Sequence, residues 1–385
     1  MNQRSLLRRS VAETGPYVPG ASAAEVKARL GREDLIRLNW NENLFGPLPG
    51  VLDDVAAELD AVWAYPEEAY EELRLAIARW SGADPAQVIP GHGIQALTLA
   101  VVATFVETGD VVIVPRPTYG LYAQACAVAG ARVVRVDTTP SLALDLEAVA
   151  AAATEHNAKL VWICDPNNPT GLRLDAADWS AFLEALPPAC LAVADEAYRD
   201  YIEPEARIDR LDDIRNGRPV IVLRTFSKIF GLAGLRLGYL LVDTALAPHI
   251  DAVQEPFNVN RAALAAGVAS LRRTELLPDR RDQVRRARER LTAALTPSPV
   301  RALDSDANFV LLALGADDLR VSDTLARDGI LIRAGTEFGL PGYVRVTTGE
   351  EDLMEQVGGQ IAAASTRCLS SHPSSSAAAV SDMLT

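Results

Sequence analysis

The chain has 385 residues, 49% of them hydrophobic, with 37 Lys+Arg against 51 Asp+Glu, a formal net charge of −14. That length supports a large core and two subdomains. The acidic balance repels polyphosphate, which argues against nucleic acid as a partner, and no run of about eighteen apolar residues suggests a helical membrane span. The four cysteines, Cys126, Cys164, Cys190 and Cys368, show no CxxC or zinc spacing, so no metal site is read. Cys164 and Cys190 border apolar runs and are expected as buried thiols of a reducing compartment. Met1 to Ser10 is basic without an apolar signal segment, and a cytoplasmic location is expected.

In chain order, Pro16-Tyr17-Val18-Pro19-Gly20 is expected to be extended, because each proline disfavours helix before it. A short helix is expected over Ala23 to Leu30, then a brief strand from Ile36 and a turn through Asn43 to Pro47. Val51 to Ala64 reads as an amphipathic helix ended by Tyr65-Pro66, and Tyr70 to Trp80 as another. Val88 to Pro90 is a short strand. The glycine turn Gly91-His92-Gly93-Ile94-Gln95 follows it and opens a helix from Ala96 to Phe105. A strand, glycine turn and helix in that order form a cup for an anion, since free N–H groups and the helix dipole favour negative charge.

The continuous apolar runs Val111 to Val114, Leu160 to Cys164, Leu191 to Ala194 and Val220 to Leu223 suit strands buried on both faces. Helices are expected over Leu121–Ala129, Leu146–Ala153 and Ala176–Leu186. The alternation argues an α/β chain with a doubly wound, mostly parallel sheet, and every candidate functional residue lies just after a strand. Lys228, after the strand ending at Leu223, is a candidate to condense with a carbonyl cofactor. Thr225, Ser227 and Arg236 beside it offer donors and charge for a phosphate. Asp195 places a carboxylate at another strand end of the same sheet.

The pattern breaks at Pro256 to Asn260, where a domain boundary is expected. A helix follows through Leu271, then a solvated Arg/Glu-rich helix from Asp279 to Leu295. Strands are expected at Asn308–Leu312, Ile330–Arg333 and Tyr343–Thr347. Arg333 and Arg345 on a small sheet suit an anion. From Ser365 the Ser/Ala-rich sequence reads as a disordered tail.

Four motifs in order, Pro115-Arg116-Pro117-Thr118-Tyr119, Asp165-Pro166-Asn167-Asn168-Pro169-Thr170-Gly171, Asp195-Glu196-Ala197-Tyr198 and Ser227-Lys228 with its Gly231–Gly238 loop, resemble the fold-type-I pyridoxal-phosphate (PLP) aminotransferases. The resemblance runs from about Pro16 to about Gly349 and is strongest to the histidinol-phosphate aminotransferase group. It implies an aspartate-aminotransferase-like fold: an arm over 1–45 packing on the small domain and a dimer partner, a large PLP-binding domain over 46–258, a small α+β domain over 259–364 and a tail over 365–385. It implies PLP held by Lys228, with Asp195 at the ring nitrogen, Tyr198 and Asn168 at the ring oxygen, and Tyr119 stacked on the ring. Gly93, Ile94, Gln95, Thr225, Ser227 and Arg236 would hold the phosphate, joined by Tyr65 across a homodimer interface. Arg345 would grip the substrate's anion with Arg333, Tyr17 and Asn43.

The activity implied is transamination between histidinol phosphate or an amino acid and a 2-oxo acid such as 2-oxoglutarate. Aromatic-amino-acid transamination, or lyase or cyclase chemistry on the same fold, is the alternative. The chain departs from the family at Trp40, where a small residue is usual, and at Ile94 and Gln95, which replace a small residue and a carboxylate.

Overall fold

Seven strands of the large domain carry the site: β1 (Val88–Gly91), β2 (Val111–Arg116), β3 (Arg132–Asp137), β4 (Leu160–Cys164), β5 (Leu191–Asp195), β6 (Val220–Thr225) and β7 (Gly238–Leu241). They form one sheet in the order β1-β7-β6-β5-β4-β2-β3. All pairs are parallel except those made by β7, which runs antiparallel between β1 and β6. This computed structural model describes residues 6–17, 20–67 and 69–370. Val18, Pro19 and the tail from 371 therefore lie outside the described residues.

β4, β5 and β6 are buried at every position. Successive side chains alternate between two cores. Ala192 and Ala194 of β5 join the cluster that holds Trp179 and Phe182, whereas Leu191 and Val193 join the cluster that holds Tyr122 and Trp162. Parallel pairing aligns the carboxyl ends: Asp195 stands opposite Cys164 on one side and Leu223 on the other. A ligand crevice belongs at such an edge.

A second sheet holds β8 (Arg301–Ala302), β9 (Phe309–Ala313), β10 (Arg333–Ala334) and β11 (Tyr343–Thr347), antiparallel in the order β10-β11-β9-β8. The expected strand Ile330–Arg333 is split. Ile330–Leu331 pairs instead with Ile36–Arg37, so the segment after the N-terminal arm is stitched to the small domain.

The expected boundary near 258 is displaced. Helix Arg261–Leu271 contributes Ala263, Ala266 and Val268 to the large-domain core. The cores divide inside helix Leu277–Ala293, where Leu277 and Val284 pack on the large domain and Ala287 and Leu291 on the small one. That helix is not simply solvated. Its apolar residues recur at helical spacing on one face, and Arg280 is buried with Nη1 donating to Gly46 O at 2.6 Å. The tail expected from Ser365 does not start there. Helix Glu351–Ser370 continues past Ser365, whose side chain is buried, because Ile361 and Ala364 still pack on the small-domain core.

A charged knot sits behind the strand ends. Glu196 accepts from Arg210 Nη1 (2.8 Å) and Arg224 Nε (2.7 Å), and Arg210 Nη2 donates to Asp165 at 2.5 Å. Arg210 also lies 4.2 Å over the Trp179 ring. Burial pushes the Glu196 carboxyl up, and three guanidiniums more than reverse this, to about 2. The knot ties the turns after β4 and β5 to strand β6 and to helix Arg210–Arg215. Removing one partner leaves an uncompensated buried charge, so Glu196→Ala should cost about 3–5 kcal/mol in urea unfolding. Glu13→Ala, which breaks an exposed pair with Arg9, should leave the unfolding midpoint nearly unchanged. Equal losses would contradict this account of the knot.

Candidate active site

One cavity of about 460 Å³ opens at the carboxyl edge of the large sheet and is closed by the small domain. It gathers residues from both domains and from the Tyr17 and Trp40–Glu42 segments. Lys228 lies in the turn after β6. Its Nζ donates to Asn41 O at 2.8 Å and stands 5.4 Å from the Tyr198 ring centre. Burial lowers its amine to about 7, with the charges of Arg345 and Arg236 acting in the same direction. The result is an amine that is substantially neutral near pH 7.

Asp195 ends β5 in the cavity floor. Tyr122 OH donates to Oδ2 at 2.5 Å and the Ala197 N–H to Oδ1 at 3.0 Å. Burial raises this carboxyl to about 6, against those two bonds and the charge of Lys228. No guanidinium or ammonium is bonded to it among the described residues. A cationic ring nitrogen beside it would supply the missing charge. Tyr122 is held flat on Trp162, with centroids 4.7 Å apart, and edge-on to Tyr119 at 5.3 Å.

The expected strand, glycine turn and helix form, with the helix starting three residues early, at Gly93. Ile94 and Gln95 therefore lie in the first turn, where N–H groups lack intrahelical partners. Gly93 has φ +73°, and a Cβ there would lie 2.8 Å from Arg236 Nη2. Only glycine lets the guanidinium approach so closely. Arg236 is anchored through Nη1 to Ala233 O at 2.9 Å, and Gln95 Oε1 accepts from Nη2 at 3.3 Å. The Gln95 amide donates onward to Tyr119 OH at 3.0 Å. The neutral amide thus serves two partners, where a carboxylate would neutralise the arginine. Thr225 and Ser227 line the same end.

At the other end Arg345 of β11 and Arg333 of β10 stand directly opposite each other across the ladder. Arg345 is buried and gives Nη1 to Asn168 Oδ1 at 2.5 Å and Nη2 to Asn39 O at 2.7 Å, while its Nε has no hydrogen-bond partner. Burial lowers its guanidinium to about 10. Arg333 Nε lies 3.4 Å from Glu337. Tyr17 packs edge-on to Tyr119 at 5.9 Å.

Most sequence-predicted residues therefore meet in this cavity: Lys228, Asp195, Tyr198, Ile94, Gln95, Tyr119, Asn168, Thr225, Ser227, Arg236, Arg333, Arg345 and Tyr17. Three do not line it. Gly93 backs Arg236. Asn43, expected at the substrate, instead gives Nδ2 to Lys228 O (3.0 Å) and Ile229 O (2.9 Å), fixing the lysine turn. Tyr65 lies outside this chain's own cavity, 79% exposed and stacked on Phe257 at 4.8 Å. Tyr17 lines the cavity of its own chain because Ser10 Oγ and Gln124 Nε2 pin the preceding arm to helix Leu121–Ala129.

Sequence reasoning missed Tyr122 and Cys164 as lining residues and assigned Asn41 and Glu42 no individual role, though both line the cavity. Tyr122 had a usable signal, sitting one helical turn after Tyr119. Trp40 lines the cavity with Arg37 5.4 Å over its ring.

Fold and cavity define the class: an α/β enzyme with a half-buried lysine between a glycine turn at a helix start and an arginine pair. The Aminotransferase class I and II profile matches residues 33–361. The histidinol-phosphate aminotransferase of Moorella thermoacetica is 36% identical over 343 residues, covering 89% of this chain and 88% of that protein. That of Symbiobacterium thermophilum is 37% identical over 345 residues, covering 90% and 94%. Among solved structures, histidinol-phosphate aminotransferase from Sinorhizobium meliloti, in complex with pyridoxal-5'-phosphate, superposes with a TM-score of 0.85 at 30% identity, covering 93% of this chain and 98% of that one. The chain belongs to the class I and II aminotransferases.

Without a ligand, the half-buried Lys228 makes stability depend on pH. Its folded value is about 7 against an ordinary 10.5. Below pH 7 both folded and unfolded states carry the charge and its burial cost is full; between 7 and 10.5 the folded amine loses the proton first, and stability rises with pH. Lys228→Met should therefore stabilise the ligand-free protein most at pH 6 and progressively less towards pH 10 in urea unfolding. A constant difference would contradict the assignment.

Proposed function

We propose that this chain is a PLP-dependent transaminase that moves an amino group between histidinol phosphate and a 2-oxo acid such as 2-oxoglutarate. The observation that carries the reading is that the lysine, the uncompensated carboxylate, the anion cup and the arginine pair share one cavity. The named relatives, 36% and 37% identical, support the substrate. When bound, PLP supplies an aldehyde that condenses with amines and a protonated ring that draws electrons from the substrate's α-carbon.

In this reading the N–H groups of Gly93, Ile94 and Gln95, with Thr225, Ser227 and Arg236, hold the PLP phosphate. Asp195 would hold the ring nitrogen protonated, Tyr119 would lie against the ring, and Tyr198 and Asn168 would serve its oxygen. The Lys228 amine, lowered to about 7 and so partly neutral near that pH, would take the proton that leaves the substrate's α-carbon and return it in the reverse half-reaction. Histidinol phosphate presents a phosphate where the amino-acid partner presents a carboxylate. Arg345 and Arg333, opposed across β10 and β11, form a doubly cationic grip that fits either anion, and Tyr17 completes it. Asn43 supports the site through the Lys228 turn rather than through the substrate.

The reading includes a cytoplasmic homodimer. Its support is an exposed apolar surface, Val62 (65%), Trp63 (86%) and Tyr65 (79%), of the kind that marks a protein contact. From there Tyr65 reaches the partner's phosphate cup. Specific activity should fall on dilution in step with dimer content in light scattering. A fully active monomer would sink the shared-site reading.

The substrate is tested by comparing kcat/KM for histidinol phosphate and phenylalanine with 2-oxoglutarate as acceptor. Histidinol phosphate should win by at least tenfold, about 1.4 kcal/mol of transition-state binding. Trp40, a flat wall in place of a small residue, favours the aromatic alternative, which stands if phenylalanine wins by that margin.

A further inference from the structure

Asn41 sits at the centre of the cavity's polar network, and the functions assigned above leave its side chain unused. It is 1% exposed and holds a left-handed backbone, φ +56°. Most residues resist that conformation, while Gly, Asn and Asp tolerate it. All its polar atoms are engaged. Its carbonyl accepts from Lys228 Nζ at 2.8 Å and from Asn308 Nδ2 at 3.1 Å. Its N–H donates to Thr347 Oγ1 at 3.0 Å. That leaves the Thr347 hydroxyl hydrogen to donate, and Asn41 Oδ1 lies 3.4 Å away to receive it. The amide is thereby oriented with Nδ2 towards Tyr198, whose phenol oxygen accepts at 3.0 Å.

A phenol oxygen that accepts an N–H must turn its own hydrogen elsewhere. Tyr198 lines the cavity, and its ring is packed edge-on against Phe309 at 5.1 Å. The cavity is the direction left for the hydrogen. We propose that Asn41 is a positioning residue that fixes Tyr198 as a hydrogen-bond donor into the cavity, towards an anionic oxygen on the bound ring, from the same peptide unit that holds the Lys228 amine. The inference rests on the PLP reading given above. It also accounts for asparagine: glycine would accept the backbone and lack the donor, and aspartate would accept the backbone and reverse the hydrogen bond.

The test is an absorbance titration of the PLP-loaded protein, which reads the protonation of the bound chromophore and not turnover. A hydrogen bond donated to an anionic oxygen favours the form with the proton off, so losing it raises the midpoint. Asn41→Gly and Tyr198→Phe should each raise the midpoint by about one pH unit, and the double variant should move no further than Tyr198→Phe alone. Asn41→Asp, which keeps the shape and takes the phenol hydrogen, should raise it at least as far as glycine does. Lys228, Arg345, Asp195 and Cys164, the titratable groups around the phenol, remain in place in the glycine variant. An unmoved midpoint in Asn41→Gly, a midpoint in Asn41→Asp at or below the parent's, or additive shifts in the double variant would each overturn the proposal. A parent chain that takes up no PLP brings down this inference and the cofactor reading together. A parent that loads PLP while the glycine variant titrates like it brings down this inference alone.

Discussion

The constraint on which the site depends is the enclosure of a half-buried amine and a buried carboxylate in one cavity without pairing them to each other. Lys228 bonds to a peptide carbonyl, and Asp195 to a phenol and a peptide N–H. Among the described residues neither has an ion-pair partner to fix its charge, so loss of solvent draws the two values in towards neutrality, to about 7 and about 6. The next residue shows the opposite solution. Glu196 is equally buried but is matched by Arg210 and Arg224 and held at about 2. Adjacent residues at an extended strand end face opposite sides. One side is paired and rigid, and the other is left for a ligand to complete.

The site is a joint product of two domains, and the segment between Leu38 and Gly46 joins them. Leu38 is buried in the small-domain core. Asn39 O receives Arg345, Asn41 O receives Lys228, the Asn43 amide holds the Lys228 turn, and Gly46 O receives Arg280. One short stretch thus sets the distance between the lysine and the arginine pair. The helix that packs into both cores braces the same junction from outside. A shift of the small domain would move Arg345, Thr347 and Asn41 together, since β11 carries the first two and bonds the third.

The large domain was legible because its signals are local. Continuous apolar runs mark strands buried on both faces, and glycines mark the cup. The functional residues follow strand ends, so the motifs predicted the cavity. What escaped depended on contacts distant in sequence. Helix Leu277–Ala293 looks solvated by composition, and only tertiary packing shows one face crossing between cores. Asn43 reads as a substrate ligand from its motif, yet its amide meets two carbonyls 185 and 186 residues away. Asn41 needed its left-handed φ to be known. Tyr65 was named for a role in a neighbouring subunit, and its exposure on this chain is what such a role requires.

The central claim is that the cavity runs transamination, returning the amino group to the protein-bound cofactor. The most direct measurement is a single half-reaction: the PLP-loaded protein mixed with histidinol phosphate and no 2-oxo acid. The account predicts loss of the aldehyde-form absorbance with about one equivalent of keto product per site, reversed on adding 2-oxoglutarate. Release of ammonia or carbon dioxide with the aldehyde form retained would contradict it and point to elimination or decarboxylation on the same scaffold.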